Sequence, residues 1–399
     1  KRRTRATIAR EKGLAPLAEA LMAPGAPDPM AEAAKYVDAE KGVETAEDAL
    51  AGASDIVAET VGDDAALRGK LRELLMKNGV LHSQAATEED SVYRLYYDFT
   101  QPLSKLQGHQ ILAINRGEKE EKLKVSVELD RELALRTVRR SVVIPGSAAM
   151  DFLKAAAEDA YDRLIFPSLE REARSTLTDS ANEGAIGQFA LNLKPLLMQP
   201  PVKGKVTMGL DPGYRMGCKV AVVDGTGKVL DTAVVYPTFS QRKKEEAIDT
   251  LAKLIRRHGV AHIAIGNGTA SRETEQMTVE LIRRLGGGVS YMIVNEAGAS
   301  VYSASKLAAE EFPDYDVNLR SAVSIARRLQ DPLAELVKID PKAIGVGQYQ
   351  HDMPQARLGE TLDGVVEDCV NQVGVDLNTA SAPLLERVAG VPQESFCRY

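Results

Sequence analysis

The chain has 399 residues, of which 44% are hydrophobic and 27% are charged, and proportions this ordinary exclude collagen-like, low-complexity and wholly disordered chains. Its 50 Lys and Arg residues against 57 Asp and Glu residues give a net charge of −7, so any binding to nucleic acid is expected to come from local basic patches. No stretch approaches the roughly 20 apolar residues of a membrane-spanning helix, and the 3 cysteines are too widely spaced for a disulfide framework or a zinc site. We therefore expect a soluble, cytoplasmic protein of roughly two or three domains without a membrane contact.

The first half of the chain, residues 1–199, is predicted to be mostly helical. One strand is predicted at 123–129, where apolar and polar residues alternate. Pro167 is predicted to mark a helix boundary, and the segment 199–205 is the predicted hinge, because its two prolines cannot continue a helix. The predicted helices, which follow three- and four-residue apolar spacing, are 14–22, 31–37, 45–60, 63–77 and 151–198.

After the hinge, short apolar strands come first in hairpin order and then alternate with helices. The turn Asp224-Gly225-Thr226-Gly227 joins the second and third strands, because glycine can take the positive φ angles of a hairpin turn. The predicted strands are 206–210, 218–223, 228–236, 261–265 and 289–294. The predicted helices are 245–258, 273–285, 300–311 and 317–329. This order describes a mixed sheet covered by helices, and it is the order of the ribonuclease-H-like fold.

Acidic residues follow two of these strands. Asp211 ends the first strand, and Glu296 comes just after the strand 289–294, on the edge where we expect Asp211. A carboxylate fixed at the end of a rigid strand is what two-metal phosphodiester chemistry uses, provided that further acids surround it. The alternative for Asp211 is a turn residue before Pro-Gly.

A third acid is expected near the start of the last helix, where the sequence offers Asp316. If Asp316 is the N-cap, its carboxylate accepts backbone N–H groups and is not available to a metal. If the ligand position falls nearer Arg320, a cation takes the place of an anion. We therefore expect a degenerate, binding-only site, with no metal and with Asp211, Glu296 and Asp316 as vestigial catalytic residues. The alternative is a Mg²⁺-dependent, structure-specific nuclease that uses these three acids.

The segment Gly266-Asn267-Gly268-Thr269-Ala270-Ser271 precedes a predicted helix. Its backbone amides are placed to hold a phosphate at the helix N-terminus. A tight structural turn is the alternative, because the segment is neither a P-loop nor a dinucleotide-binding fingerprint.

Longer stretches resemble a known family. Residues 208–221, 265–275 and 294–303 closely resemble the YqgF-like domain of the Tex family of bacterial transcription accessory proteins. Residues 1–13, 112–118, 322–337 and 344–351 are similar to further parts of that family. The resemblance extends from Lys1 to about Val391.

This resemblance implies a multidomain protein that binds nucleic acid and lacks nuclease activity. It implies a helical Tex portion over 1–199 that is incomplete at its start, a YqgF-like ribonuclease-H-fold domain over 205–331, and a helical region over 332–391 that starts an incomplete helix-hairpin-helix at 375–390. Residues 392–399 depart from the family, and its OB-fold RNA-binding domain is missing, so we expect a chain truncated at both ends.

The expected function is a non-catalytic scaffold in transcription, with a role in translation left open and with no cofactor; Mg²⁺ belongs only to the nuclease alternative. The expected partners are RNA or DNA, with RNA polymerase or the ribosome as further candidates, and a protein-interaction platform is a third alternative. Basic side chains supply the expected phosphate contacts, although a solvated helix face is the alternative for each. The predicted nucleic-acid-binding residues are Lys1, Arg2, Arg3, Arg5, Arg139, Arg140, Arg242, Lys243, Lys244, Asn267 and Thr269.

Overall fold

The computed structural model describes residues 3–345, 347–377 and 380–390. The predicted contacts Lys1 and Arg2 and the predicted tail 392–399 lie outside these residues. The chain forms two units, Lys1–Gly184 and Ala185–Tyr399, which we call the first and the second unit. Within the described ranges, no helix combines the length and the apolar character needed to cross a membrane.

The first unit is helical around a small antiparallel sheet. Its helices are α1 (Arg5–Glu11), α2 (Ala15–Met22), α3 (Pro29–Ala33), α4 (Ala46–Gly62), α5 (Ala65–Asn78), α6 (Gly108–Lys119), α7 (Arg131–Val142), α8 (Met150–Asp159) and α9 (Phe166–Leu197), the last of which contains the boundary between the units. Its strands are β1 (Val80–Ala85), β2 (Asp98–Pro102) and β3 (Leu123–Glu128), in the order β2-β1-β3.

The sequence predicted only the third of these strands. In β1 the buried positions are occupied by Leu81 and Ser83, so apolar residues do not alternate along it. The hydroxyl of Ser83 donates a hydrogen bond to the carbonyl of Tyr96 at 2.8 Å, which satisfies its polar group inside the fold. Because a serine occupies an inward-facing position, the periodicity that identifies a half-buried strand is lost.

The helix boundary predicted at Pro167 is wrong, because helical structure runs through it. A π-helical segment, Ala160–Ile165, connects α8 directly to α9. Proline lacks a backbone donor, and wider π turns are accommodated inside longer helices. Pro167 therefore follows a local change of helix type and does not end the helix.

The second unit contains the five-stranded sheet that was predicted. Its strands are β4 (Thr207–Asp211), β5 (Cys218–Val223), β6 (Val229–Val235), β7 (His262–Gly266) and β8 (Ser290–Val294). Their order is β6-β5-β4-β7-β8. The pairs β4–β5 and β5–β6 are antiparallel, and the pairs β4–β7 and β7–β8 are parallel. The predicted ribonuclease-H-like strand order is confirmed, and so is the α plus α/β fold class.

Helices cover this sheet. They are α10 (Gln241–His258), α11 (Ser271–Leu285), α12 (Ala299–Ser303), α13 (Lys306–Glu311) and α14 (Val317–Gln330). The helix α10 begins four residues earlier than predicted, because the hydroxyl of Ser240 accepts from the amide of Lys243 and caps it. The single helix predicted over 300–311 is two helices, and Ser305 caps the second by accepting from the amide of Ala308.

The helix α14 lies directly against β4, and this close approach depends on Gly209. A Cβ added at Gly209 would come within 2.8 Å of the backbone nitrogen of Ala326. Ala322 and Ala326, both fully buried, provide the small side chains that face the strand. Glycine in the strand and alanine in the helix thus allow the backbones to pack closely.

Beyond the sheet, the chain continues as α15 (Pro332–Leu336), α16 (Gln355–Val373) and α17 (Ala382–Leu385). The helix predicted over 375–390 is limited to the 4 residues of α17 in the part that the structure describes. The side chain of Asn371 donates to the carbonyl of Arg387 at 3.2 Å and accepts from the amide of Ala389 at 3.0 Å. These bonds replace helical ones, so the segment turns back onto α16. The incomplete helix-hairpin-helix stays a prediction.

Candidate functional site

The acids Asp211 and Glu296 meet at one edge of the sheet. The strands β4, β7 and β8 are parallel neighbours, so their carboxyl ends share that edge, which we call the carboxyl edge. Asp211 is the last residue of β4, and Glu296 follows β8. Burial and, to a smaller extent, the nearby charge of Glu296 raise the pKa of Asp211, Lys219 opposes both effects, and the resulting pKa is about 6. The two carboxylates are therefore close enough to repel each other.

A buried lysine accompanies this pair. Lys219 lies directly opposite Asp211 in the β4–β5 ladder and is buried. Its ammonium group donates a hydrogen bond to the carbonyl of Met216. The sequence analysis did not identify Lys219, although its position opposite Asp211 follows from the predicted hairpin. The ammonium group places a positive charge beside an acid that a metal site would use.

The carboxylate of Glu296 is turned onto the loop that follows β7. A Cβ added at Gly266 or Gly268 would overlap its oxygens. Burial raises the pKa of Glu296, whereas a hydrogen bond from the Gly268 backbone and the charge of Arg328 lower it. Its Oε2 is buried and has no hydrogen-bond partner among the residues that the structure describes. The two glycines thus leave the space that the acid occupies.

Asn267 positions Glu296. Its side-chain carbonyl accepts from the backbone amide of Glu296 at 3.0 Å, and the backbone amide of Asn267 donates to the carbonyl of Val294 at 3.0 Å. The side-chain carbonyl of Asn267 is thus used to fix the chain after β8.

Arg328 holds the same segment from the opposite side. This arginine lies on α14 and is only 3% exposed, and its guanidinium donates to the carbonyls of Asn295 and Ala297 at 2.8 Å each. Burial lowers the pKa of Arg328 to about 10, and Glu335 and Glu296 oppose that effect. Its Nε and Nη2 have no partner within the described part of the chain. The sequence analysis missed Arg328, although it shares the buried face of α14 with Ser321 and Ile325 at helical spacing.

The third acid does not join the site. Asp316 caps α14, and its carboxylate accepts from the amide of Leu319 at 2.8 Å, which is the first of the two arrangements considered from the sequence. Arg320 donates to the carbonyls of Phe312 and Ser303 at 3.1 and 3.2 Å. Across residues 3–345, 347–377 and 380–390, no three His, Cys, Asp or Glu side chains are close enough to hold a metal ion. The donor set of this edge is therefore two acids accompanied by two buried cations.

The loop between β7 and α11 is a tight turn. Ala270 adopts a left-handed conformation with φ of 65°, and the amide of Ser271 donates to the carbonyl of Gly268 at 3.2 Å. The side chains of Asn267 and Thr269 are exposed at the carboxyl edge. The segment 266–271 thus forms the tight turn that was the alternative interpretation. Phosphate binding by Asn267 and Thr269 stays a prediction.

The basic residues predicted in the first unit differ in their surroundings. Arg3 forms an ion pair with Glu11, and Arg5 and Arg140 are exposed. Arg139 is held between two acids, at 2.6 Å from Glu158 and 3.1 Å from Glu132. These paired acids favour a structural role for Arg139.

The basic residues predicted in the second unit lie at the start of α10. Arg242 and Lys243 pair with Glu246 at 3.2 and 2.7 Å, and Lys244 pairs with Glu280 at 2.8 Å. The side chain of Arg242 is still 90% exposed. Because β6 ends at the carboxyl edge and leads into α10, these residues lie at the same end of the sheet as Asp211.

Comparison with known proteins gives matches along nearly the whole chain. Residues 25–189 match the family described as "Tex central region-like", and residues 205–330 match "Tex protein YqgF-like domain". The chain is 51% identical over 413 residues to "Protein tex" of Bordetella pertussis, which covers 98% of this chain and 52% of that protein. It is 47% identical over 403 residues to "Transcriptional accessory protein Tex" of Neisseria gonorrhoeae, with 98% and 52% covered. It is also 41% identical over 409 residues to "S1 RNA-binding domain-containing protein 1" of Homo sapiens, with 97% and 40% covered. The chain spans about half the length of the bacterial relatives.

Proposed function

The chain belongs to the Tex family, and we propose that its second unit binds RNA or DNA at the carboxyl edge of the sheet without cleaving it. The protein would then act as a non-catalytic accessory factor in transcription. Support for the family role comes from the names of two relatives, which describe a transcriptional accessory protein and an RNA-binding domain. RNA polymerase or the ribosome as a partner, and a place in the cytoplasm, stay predictions.

The observation that carries the proposal is the charge set at the carboxyl edge. Two divalent cations bring four positive charges, and two-metal sites offset them with several carboxylates around a bridging acid. Here Asp211 and Glu296 face the cations Lys219 and Arg328, which are both buried. Asp316 is engaged as a helix cap. Bound metal ions would therefore meet too little negative charge.

The same edge offers groups that suit the phosphates of an intact strand. Arg242 lies in the first turn of α10 and is 90% exposed, and the partial positive charge of the helix N-terminus adds to its own. Lys243 and Lys244 lie in the same turn, and they would have to exchange their acidic partners Glu246 and Glu280 for phosphates. The exposed Asn267 and Thr269 can donate hydrogen bonds to phosphate oxygens. Contacts of this kind bind the sugar-phosphate backbone and break no bond.

The test is a parallel measurement of binding and cleavage. Wild type, Asp211→Asn and the control Glu310→Gln, which removes an exposed carboxylate of the same unit, are mixed with labelled single-stranded RNA, single-stranded DNA and branched DNA. Fluorescence anisotropy in EDTA measures affinity, and denaturing gels with Mg²⁺ or Mn²⁺ measure cleavage. We expect binding that weakens steeply with salt, equal or tighter binding by Asp211→Asn, and intact substrates throughout. Metal-dependent cleavage that Asp211→Asn abolishes would establish the nuclease instead.

A further inference from the structure

Exposed aromatic side chains line the carboxyl edge. Tyr214, Tyr236 and Phe239 are 46%, 36% and 55% exposed. Tyr214 lies in the loop between β4 and β5, while Tyr236 and Phe239 lie between β6 and α10. Because Cys218 pairs with Val235 in the β5–β6 ladder, both loops emerge at the same end of the sheet. Tyr214 therefore lies in the loop that follows Asp211, and Tyr236 and Phe239 lie at the same end of the sheet.

Tyr236 and Phe239 form a supported pair. Their ring centroids are 5.0 Å apart at an angle of 49°. Gly217, with φ of 73°, lies against one side of the tyrosine ring, and a Cβ there would come within 2.7 Å of the ring carbons. The glycine thus lets the loop backbone support Tyr236, while Phe239 keeps more than half of its surface in solvent. Because Phe239 packs against the supported Tyr236 ring, it loses little conformational freedom when a flat ligand stacks on its exposed face.

Tyr214 is fixed by a different contact. Its hydroxyl donates to the carboxylate of Glu273 at 2.8 Å, and Glu273 lies in the first turn of α11. Met216, which is 67% exposed, lies in the same loop between Tyr214 and Gly217. The loop between β4 and β5 thus carries exposed aromatic and apolar side chains just before Gly217, and Gly217 itself lies against the Tyr236 ring. Exposed apolar side chains grouped in this way are typical of an interaction site.

Charge identifies the class of ligand. Arg215 is exposed between Tyr214 and Met216 in the sequence, and the 90% exposed Arg242 lies in the first turn of α10, only a few residues after Phe239. Tyr214 and the pair of Tyr236 and Phe239 are thus each followed within a few residues by an exposed cation. Single-stranded nucleic acid has the matching pattern, because its phosphates alternate with bases whose faces are accessible for stacking. A duplex stacks its bases on each other and offers only its phosphates and groove edges.

We propose that Tyr214, Tyr236 and Phe239 form a stacking surface for the unpaired bases of single-stranded nucleic acid, with Arg215 and Arg242 contacting its phosphates. This rests on the proposed function for the existence of nucleic-acid binding, and it adds the preference for single strands. The preference comes from stacking, so it is largely independent of base sequence.

The test compares single-stranded and duplex oligonucleotides of equal length on the full chain. Variants are Phe239→Ala, Phe239→Leu, which keeps an apolar side chain without a ring, and the control Leu230→Ala, which truncates an exposed residue near the opposite end of β6. We expect Phe239→Ala and Phe239→Leu to weaken single-strand binding by about tenfold and duplex binding by less than about twofold. Leu230→Ala should change neither. A single strand that carries 2-aminopurine should show quenched fluorescence with wild type and recovered fluorescence with Phe239→Leu.

The outcomes separate this inference from the proposed function. If wild type binds neither form, the proposed function and the stacking surface are both wrong. If it binds single strand and duplex equally and the Phe239 variants bind like wild type, nucleic-acid binding stands and the stacking surface is refuted. If the Phe239 variants keep nucleic-acid affinity and instead lose a co-purifying protein, the edge is a protein interface and the inference is overturned.

Discussion

Replacing Asp211 with Asn should change how the stability of the second unit depends on pH. The carboxylate is held at the end of a buried strand, near Glu296, and these surroundings raise its pKa from the ordinary 3.8 to about 6. The folded protein therefore binds this proton more tightly than the unfolded chain does. Ionisation of Asp211 opposes folding, so stability falls as pH rises from about 4 through 6 and then levels off.

The size of the effect follows from the shift in pKa. A difference of about 2 units corresponds to roughly 3 kcal/mol between fully protonated and fully ionised conditions. Between pH 5 and pH 8 the linkage relation leaves about 1.5 kcal/mol of this change, because Asp211 in the unfolded chain is already largely ionised at pH 5. Asn cannot ionise, so the variant should lack this part of the pH dependence.

The assay is urea unfolding of wild type and Asp211→Asn in parallel at pH 5, 6.5 and 8, followed by circular dichroism. We expect the variant to gain about 1.5 kcal/mol on wild type between pH 5 and pH 8, while the control Glu310→Gln, which removes an exposed carboxylate, shows no such gain. A constant difference between Asp211→Asn and wild type at all three pH values would refute the reasoning. It would mean that Lys219 or solvent compensates the charge of Asp211 fully.

Two further pairs of variants test the packing and the predicted contacts. Gly209→Ala adds a Cβ within 2.8 Å of a backbone nitrogen of α14 and should lower the free energy of unfolding by about 1–3 kcal/mol. Gly364→Ala lies in α16 with open space around it and should raise the free energy of unfolding by about 0.5–1 kcal/mol. Equal effects of the two variants in urea unfolding would contradict the close approach of β4 and α14. Arg139→Gln should lower the thermal midpoint and leave nucleic-acid affinity unchanged, because its guanidinium is held by two acids. Arg140→Gln should lower nucleic-acid affinity and leave the thermal midpoint unchanged, because Arg140 is exposed. A loss of affinity in the Arg139 variant alone would contradict this assignment.

Much of the sheet was predictable because its core strands carry local signals. The strand β5 was predicted with its observed bounds, since buried apolar residues fill most of it and glycines precede and follow it. The turn after it was predictable because Asp224 and Gly227 have well-defined roles there. The amide of Asp224 donates to the carbonyl of Lys228 at 2.8 Å, and Gly227 has a φ of 87°. The strand order then followed from the sequence of hairpins and crossovers.

Only part of the site was predictable, because the residues adjacent to a charged side chain in the sequence do not show whether that side chain is buried. The topology placed Asp211 and Glu296 on one edge, as the structure has them. The spacing of Arg328 from Ser321 and Ile325 places all three on one face of α14, but the sequence does not show that this face packs over the sheet and leaves Arg328 only 3% exposed. Lys219 lies in β5, whose other residues are mostly apolar, and the strand pattern does not show that its charge is buried. Charges of this kind depend on long-range packing, which a single sequence does not display.

The presence of two acids at the carboxyl edge does not by itself require catalysis. Glu296 fills the space left by Gly266 and Gly268, and its backbone amide is held by Asn267. An acid in this position organises the turn before α11 whether or not a metal binds, because the buried carboxylate and the glycine backbone fit each other. To bind a metal, the Glu296 side chain would have to rotate away from the loop and towards solvent. That rotation is unfavourable, because it would remove a negative charge from the surroundings of the buried Arg328 guanidinium. The position of Glu296 is thus explained by the loop that it supports.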